Sequence, residues 1–99
     1  MIIIRVNCTI DPAKRDQFLA AIAQDTPENH AFAGCVAYRW TESITEPNTF
    51  LLYEEWATLE AVNAFKNSDY FAQNGKVMFP LISGKPDSVT YEAQALQSA

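Results

Sequence analysis

The stretch Leu52-Tyr53-Glu54-Glu55-Trp56 leads directly into Thr58-Leu59-Glu60-Ala61-Val62-Asn63-Ala64-Phe65, and together they have the pattern of a strand followed by a helix. Successive strand side chains point to opposite faces, so Leu52, Glu54 and Trp56 share one face. Both faces carry large apolar groups, and a chain of 99 residues has little material to cover two faces of a sheet. We therefore expect the tryptophan face to be an exposed patch, or to be covered by a second subunit, a ligand or both.

The composition indicates a soluble, globular protein. Hydrophobic residues make up 48% of the chain and charged residues 19%, which is far from the composition of disordered segments. The net charge of −5, with seven scattered basic residues, argues against nucleic acid and anionic membranes as partners. The N-terminus does not resemble a signal peptide, and no apolar run approaches the ~18 residues of a membrane span. We expect residues 1–99 to form a single domain in the cytoplasm.

Alternation of apolar and polar residues predicts four strands. The first covers residues 2–10, where Cys8 lies on the apolar face as a small core residue. Residues 35–42 and 50–56 are expected to pair as a hairpin, because residues 43–48 are rich in turn formers. A further turn over residues 83–86 is expected to precede the last strand, at residues 88–93.

Capping residues and prolines predict two helical regions. Asp11 is a suitable N-cap, and Pro12 then occupies the first helical position. Pro27 is expected to end or kink the regular helix near Thr26, because proline disfavours a helical residue before it. Residues 28–33 are the alternative, as a ragged last turn of the same helix. Thr58 is the predicted cap of the second helix, which should break at residues 67–69 and be followed by a short helix and loop.

The resulting order, β-α-β-β-α-β, is that of an α+β protein with a ferredoxin-like fold. Such a fold has a four-stranded antiparallel sheet with both helices on one face. The uncovered face predicts a two-fold homodimer in which the sheets of two subunits pack against each other.

Four short segments occur in an order and at spacings that resemble one known family. They are Gly34-Cys35 with Tyr38, residues 50–56, Ala61 with Phe65, and Ser68-Asp69-Tyr70-Phe71. Over nearly its whole length the chain is similar to the antibiotic biosynthesis monooxygenase domain family of dimeric α+β barrels. The resemblance implies oxygenation of an electron-rich aromatic by dioxygen, without flavin, haem or metal. The family also includes haem-degrading enzymes, an isomerase and members with no known activity.

The chain departs from this family at several histidine positions. Members often have histidine where Phe65 and Tyr70 stand here, so mechanisms that use those imidazoles are not expected. The haem-degrading branch resembles this chain at Asn7 and Trp56. Its haem-ligand histidine falls at or beside Gly75, where the sequence has none, so haem breakdown is not expected either.

Glu54 and Trp56 are the main catalytic candidates, because their side chains project from the same strand face. In one interpretation the indole stacks on a flat aromatic substrate, and the desolvated carboxylate accepts a phenolic proton. In the alternative, Trp56 fills a dimer interface and Glu54 pairs with Arg5 or Arg39.

Asn7 and Arg5 are candidates for contacts with a substrate carbonyl or a developing oxyanion. They lie on the polar side of the first strand, which neighbours the third strand in this fold. This side is therefore expected to continue the surface that carries Trp56. The alternatives are a solvated strand face or an ion pair across the dimer.

His30 is the only imidazole and so a further candidate for proton transfer, although its position after Pro27 is more typical of the protein surface. Tyr70 and Phe71 are expected either to form part of an aromatic lid over a pocket or to cover the end of the core. The full set of candidate substrate-binding residues is Arg5, Tyr38, Trp40, Leu52, Phe65, Tyr70 and Phe71.

No metal, nucleotide or other cofactor is predicted. Cys8, His30 and Cys35 lack the spacing of metal ligands, and none of the three glycines belongs to a phosphate-binding loop. The predicted function is a cofactor-independent monooxygenase acting on a hydroquinone or a polyphenolic, polyketide-type aromatic. An isomerase or decarboxylase of an enolisable metabolite, and a non-catalytic dimer that binds a ligand, are the alternatives.

Overall fold

The computed structural model describes residues 1–97 as a four-stranded antiparallel sheet with helices packed on it. The strands are β1 (Ile2–Ile10), β2 (Cys35–Glu42), β3 (Thr49–Trp56) and β4 (Ile82–Glu92). The helices are α1 (Arg15–His30), α2 (Leu59–Lys66) and α3 (Asp69–Met78), with 3-10 turns at Pro12–Lys14 and Phe79–Leu81. The sheet order is β2-β3-β1-β4, so the predicted ferredoxin-like α+β fold is confirmed.

The helices cover the face of the sheet that carries Trp56. Along β3 the residues alternate between buried and partly buried, and Trp56 itself is completely buried. In the β1–β3 register Ile2 lies opposite Trp56 and Ile4 opposite Glu54, so these side chains share one face. Trp56 packs there with Val62 of α2. The expectation that this face is bare, or is covered by a ligand or a second subunit, is therefore wrong.

The opposite face of the sheet carries no helix within residues 1–97. It contains the odd-numbered residues of β1 and β3, which include Ile3, Arg5, Asn7, Leu51, Tyr53 and Glu55. All of these are partly exposed. We call this surface the helix-free face.

Helix α1 is longer than the sequence indicates. Asp11 caps the preceding 3-10 turn by accepting a hydrogen bond from the Ala13 N–H at 3.0 Å. The helix then continues through Pro27 to His30, so an end near Thr26 is wrong and the alternative of a further turn after Pro27 is confirmed as far as His30. Proline removes one backbone hydrogen bond from a helix interior. The Thr26 hydroxyl donates to the Ile22 carbonyl of the preceding turn at 2.7 Å.

Helices α2 and α3 each begin at a side-chain cap; the sequence predicts Thr58 for α2 but not Ser68 for α3. Thr58 accepts a hydrogen bond from the Ala61 N–H, and Ser68 accepts one from the Phe71 N–H. The predicted break between the two helices is confirmed. Before β2, Gly34 has φ +84°, and its carbonyl accepts a hydrogen bond from the Ala57 N–H at 2.8 Å. The start of α2 is thereby held against the start of β2.

Residues 83–86 are part of β4 and do not form the turn that the sequence predicts. In the β1–β4 register Asn7 lies opposite Asp87, and Thr9 opposite Ser83. Residues 84–86 therefore bulge opposite the single residue Cys8. Gly84 supplies the positive φ of +72° at this point. Glycine and proline serve bulges as well as turns, which explains the incorrect prediction.

Candidate functional site

A pocket of about 310 Å³ lies between the sheet and helices α2 and α3. Its walls are mainly apolar, as expected for a site that binds a small organic ligand. Its lining residues include Ile4, Val6, Tyr38, Trp40, Leu52, Glu54, Phe65, Lys66, Phe71, Asn74, Gly75 and Met78. Five of the predicted substrate-binding residues are brought together here: Tyr38, Trp40, Leu52, Phe65 and Phe71.

Glu54 is the buried carboxyl group of this pocket, with 5% of its surface exposed. Burial raises the pKa of Glu54 above its ordinary value, because the low-polarity surroundings disfavour the charged form. The nearby charge of Asp25 acts in the same direction, whereas a hydrogen bond from Trp56 and the charge of Lys66 oppose it. A carboxylate with a raised pKa is a stronger base, which suits it to remove a proton from a bound molecule.

Trp56 lies behind Glu54 and does not line the pocket. Its Nε1–H donates to Oε1 of Glu54 at 2.9 Å, and its ring packs at 4.9 Å between centroids against Phe65. The predicted stacking of this indole on a substrate does not fit its complete burial. The alternative pairing of Glu54 with Arg5 or Arg39 is also wrong, because both arginines are on strand positions that face away from Glu54. Trp56 instead holds the carboxylate in one orientation.

Asp25 is a second buried carboxyl group that sequence reasoning missed. It is 2% exposed, and it accepts a hydrogen bond from the Tyr38 hydroxyl at 3.0 Å. The Tyr70 hydroxyl and the Asn29 side-chain amide also donate to it. A signal was present in the sequence: with the helical spacing of Phe18, positions 25 and 29 fall on the inner face of α1, where polar residues need partners.

Tyr70 is close to the pocket without lining it. Its ring packs on Phe32 at 5.7 Å between centroids, and its hydroxyl joins the hydrogen bonds around Asp25. Together with Asp25 and Glu28 it lines a second depression, of about 220 Å³, between α1 and α3. The predicted role of Tyr70 in binding substrate directly is thus not supported by its position.

Arg5, Asn7 and His30 lie away from the pocket. Arg5 and Asn7 are on the helix-free face, so the expectation that they continue the surface of Trp56 is wrong. His30 is the exposed last residue of α1, with Nε2 at 3.3 Å from the Val36 carbonyl oxygen. These three residues do not belong to the candidate site.

The Trp40 ring forms part of the pocket wall, whereas its N–H is buried behind that wall. Its Nε1 is buried and has no partner among residues 1–97. Its ring is fixed by an edge-to-face contact with Phe18, at 5.4 Å between centroids. Trp40 therefore contributes aromatic surface to the pocket and not a hydrogen-bond donor.

Neither a metal cluster nor a membrane-spanning helix is found in the described part of the chain. No group of three or more His, Cys, Asp or Glu side chains within residues 1–97 is arranged to hold a metal ion. None of the three helices is long and apolar enough to cross a membrane. Cys8 and Cys35 are free thiols, and burial raises the pKa of both.

Comparison with known proteins gives one family match and one sequence relative. The family model described as antibiotic biosynthesis monooxygenase matches residues 1–74. An uncharacterized protein of Synechocystis sp. is 29% identical over 70 residues, which cover 71% of this chain and 48% of that protein. The chain therefore spans about half the length of the curated relative that it matches.

Solved structures share the fold over nearly the whole chain. A proposed antibiotic biosynthesis monooxygenase from Deinococcus radiodurans has a TM-score of 0.90 at 18% identity, covering 100% of this chain and 98% of its own. One from Nitrosomonas europaea has a TM-score of 0.87, also at 18% identity, covering 96% and 100%. One from Caulobacter crescentus has a TM-score of 0.85 at 26% identity, covering 95% and 90%.

Proposed function

Because the chain belongs to the antibiotic biosynthesis monooxygenase family, we propose that it oxidises a hydroquinone or a related polyphenolic aromatic with dioxygen, using no metal, flavin or haem. Family membership supports a monooxygenase-like function in general. The substrate class and the chemistry rest on the pocket between the sheet and helices α2 and α3.

The buried carboxylate of Glu54 is the observation that carries this proposal. A hydroquinone reacts with dioxygen far more readily once it has lost a proton, because the resulting anion can itself donate an electron. Glu54 lies in an apolar pocket with a raised pKa, and Trp56 fixes its orientation. It is therefore the group that would accept the phenolic proton.

The rest of the pocket supports binding of a flat aromatic ring. Phe65, Phe71 and Trp40 supply aromatic surface on different walls, and Leu52 adds an aliphatic surface. Excluding water from such a pocket strengthens the interaction of Glu54 with a donor group on the ring.

The proposed reaction is balanced without an external reductant. One hydroquinone and one dioxygen give one hydroxyquinone and one water. The substrate supplies all four electrons: a ring C–H bond and two O–H bonds break, one ring C–O bond forms, and the second oxygen atom leaves as water. Glu54 accepts the first proton and returns it to the departing oxygen.

The protein is also proposed to act as a homodimer. Its helix-free face exposes Leu51 and Tyr53 between charged groups, and a second copy of the sheet would cover them. A two-fold contact of this kind is the commonest form of self-association.

Oxygen uptake with a panel of hydroquinones and naphthols tests the function. We expect saturable uptake that survives a metal chelator, exceeds a heat-inactivated control and falls at least 100-fold in Glu54→Gln, in line with the ~10²–10⁴-fold contribution of a general base. The matched control is Glu55→Gln, which removes the neighbouring carboxylate on the helix-free face. Equal losses in both variants would contradict the assignment of Glu54.

The same experiment separates the alternative functions. An isomerase or decarboxylase would use Glu54 to remove a proton from carbon and would consume no oxygen. Such an enzyme would exchange substrate protons with deuterated solvent in the absence of dioxygen. Binding without either uptake or exchange would indicate a non-catalytic ligand-binding domain.

A further inference from the structure

Asp25 receives several hydrogen bonds, one of them from Tyr38, a residue that lines the pocket. Oδ2 accepts from the Tyr38 hydroxyl at 3.0 Å, and Oδ1 accepts from Tyr70 and from the side-chain amide of Asn29. No cationic side chain within residues 1–97 forms an ion pair with it. Asp25 connects three separate elements in this way: its own helix α1, strand β2 through Tyr38, and helix α3 through Tyr70.

These contacts determine where the Tyr38 proton points. A carboxylate offers only acceptors, so the hydroxyl proton of Tyr38 must be directed toward Asp25. Burial of the side chain raises the pKa of Tyr38, and the charges of Asp25 and Glu54 raise it further, so its hydroxyl remains neutral and keeps this proton. Toward a ligand, the Tyr38 hydroxyl oxygen can therefore only accept a hydrogen bond through a lone pair.

Tyr38 and Glu54 are directly opposite each other on strands β2 and β3. Side chains opposed in this way on one face of a sheet have Cβ atoms about 5 Å apart. Both residues line the pocket, and the charge of Glu54 acts on the Tyr38 hydroxyl. Tyr38 and Glu54 are therefore neighbouring polar side chains of the pocket wall, and each has an acceptor oxygen.

We infer that Asp25 is a positioning residue that makes Tyr38 a hydrogen-bond acceptor toward the pocket, so that a bound ligand must donate to Tyr38 as well as to Glu54. This inference rests on the proposed function in taking the pocket as the substrate site. The inference adds Asp25 to the candidate site, as a residue that contacts no ligand itself and acts only through Tyr38.

Anaerobic binding of a matched pair of ligands tests the inference. The pair is 1,4-dihydroxynaphthalene and its monomethyl ether, 4-methoxy-1-naphthol, titrated by fluorescence under argon. We expect the native protein to bind the diol about tenfold more tightly, which corresponds to one hydrogen bond to an otherwise unsatisfied buried group. The ratio of the two affinities is the readout, because general damage to the pocket affects both ligands alike.

Two variants should remove this preference. In Tyr38→Phe the second acceptor is gone, and the ratio should fall to about one. In Asp25→Asn the introduced amide can donate to the Tyr38 oxygen, which frees the hydroxyl proton to point into the pocket, so the ratio should fall to one or below. The matched control is Glu28→Gln, an exposed carboxylate of the same helix, and it should keep the tenfold preference.

The possible failures are distinguishable. An unchanged preference in Asp25→Asn, with the preference lost in Tyr38→Phe, would overturn the role of Asp25. A native protein that prefers the ether would overturn the orientation of the Tyr38 proton. Either result would leave the proposed oxygenase function intact, whereas failure of the native protein to bind both ligands would overturn that function together with the inference.

Discussion

Two opposing effects act on the pKa of the Glu54 carboxyl group. Burial among apolar side chains raises the pKa of Glu54, while the hydrogen bond from the Trp56 indole lowers it. Burial is the larger effect, so the pKa remains above the ordinary value. The indole thus limits how far the basicity rises while holding the carboxylate in place.

Replacing Trp56 by Phe should raise the pKa of Glu54 further, because the N–H that stabilises its charged form is removed. Glu54 accepts a proton only when ionised, so activity should fall as pH drops through its pKa. We therefore expect the acidic limb of the pH–activity profile to move to higher pH in Trp56→Phe. An NMR titration of ¹³C-labelled glutamate carboxyl groups should show the same shift without reference to activity. A limb that stays in place or moves to lower pH would contradict this role of the indole.

The alternation of residues shows how side chains are arranged along β3 itself, but not how β3 aligns with its neighbour β1. Alternation correctly put Glu54 and Trp56 on one face. It could not show that Arg5 and Asn7 face the other way, because a shift of one residue in strand register reverses every side chain. Asp25 was missed because its partners Tyr38 and Tyr70 lie on other elements and meet it only in the folded chain.

At the level of elements, Gly34 determines how closely α2 approaches β2. A Cβ atom at this position would lie 2.5 Å from the Ala61 Cβ, which is closer than any real contact. The positive φ of +84° is a second reason for glycine here. Glycine at position 34 thus allows α2, the helix that carries Phe65, to pack closely beside the start of β2.

Gly34→Ala should destabilise the protein by about 2–5 kcal/mol in urea unfolding, as the sum of backbone strain and overpacking. Adding Ala61→Gly should relieve the overpacking, so the double variant should be less destabilised than the sum of the two single variants. Gly84→Ala is the matched control: Gly84 has φ +72° but open space around it, so only the strain of about 1–2 kcal/mol should remain. Equal effects of Gly34→Ala and Gly84→Ala would argue against the close contact.

Element boundaries were predictable where side-chain caps define them. Thr58 and Ser68 each accept a hydrogen bond from a backbone N–H of the helix that follows, and the sequence predicts the first of these caps but not the second. The end of α1 was not predicted exactly, because a proline removes only one backbone hydrogen bond and the helix runs on through Pro27 to His30. The bulge over residues 84–86 was taken for a turn because both use the same residue types.

At the scale of the whole molecule, the two faces of the sheet differ in what covers them. One face and the helices enclose the pocket and the buried carboxylates. The helix-free face holds partly exposed residues that include Leu51 and Tyr53. A single chain of 99 residues covers one face, and the proposed homodimer would cover the other.

Sedimentation velocity should therefore show a dimer, and Leu51→Asp should convert it to a monomer. A carboxylate introduced into the centre of the sheet contact would be buried without a partner, which is strongly unfavourable. Leu59→Asp is the matched control, since Leu59 is 54% exposed at the start of α2, away from the helix-free face. A native protein that sediments as a monomer would contradict the proposed assembly.

The bulge in β4 has a consequence for aggregation. β4 is an edge strand, and an exposed edge is a template on which a strand of another molecule can add. Over residues 84–86 this edge is bent, and Pro86 has no N–H with which to bind an incoming strand. The segment that resembles a turn in the sequence thus acts against fibril-like growth along this side of the sheet.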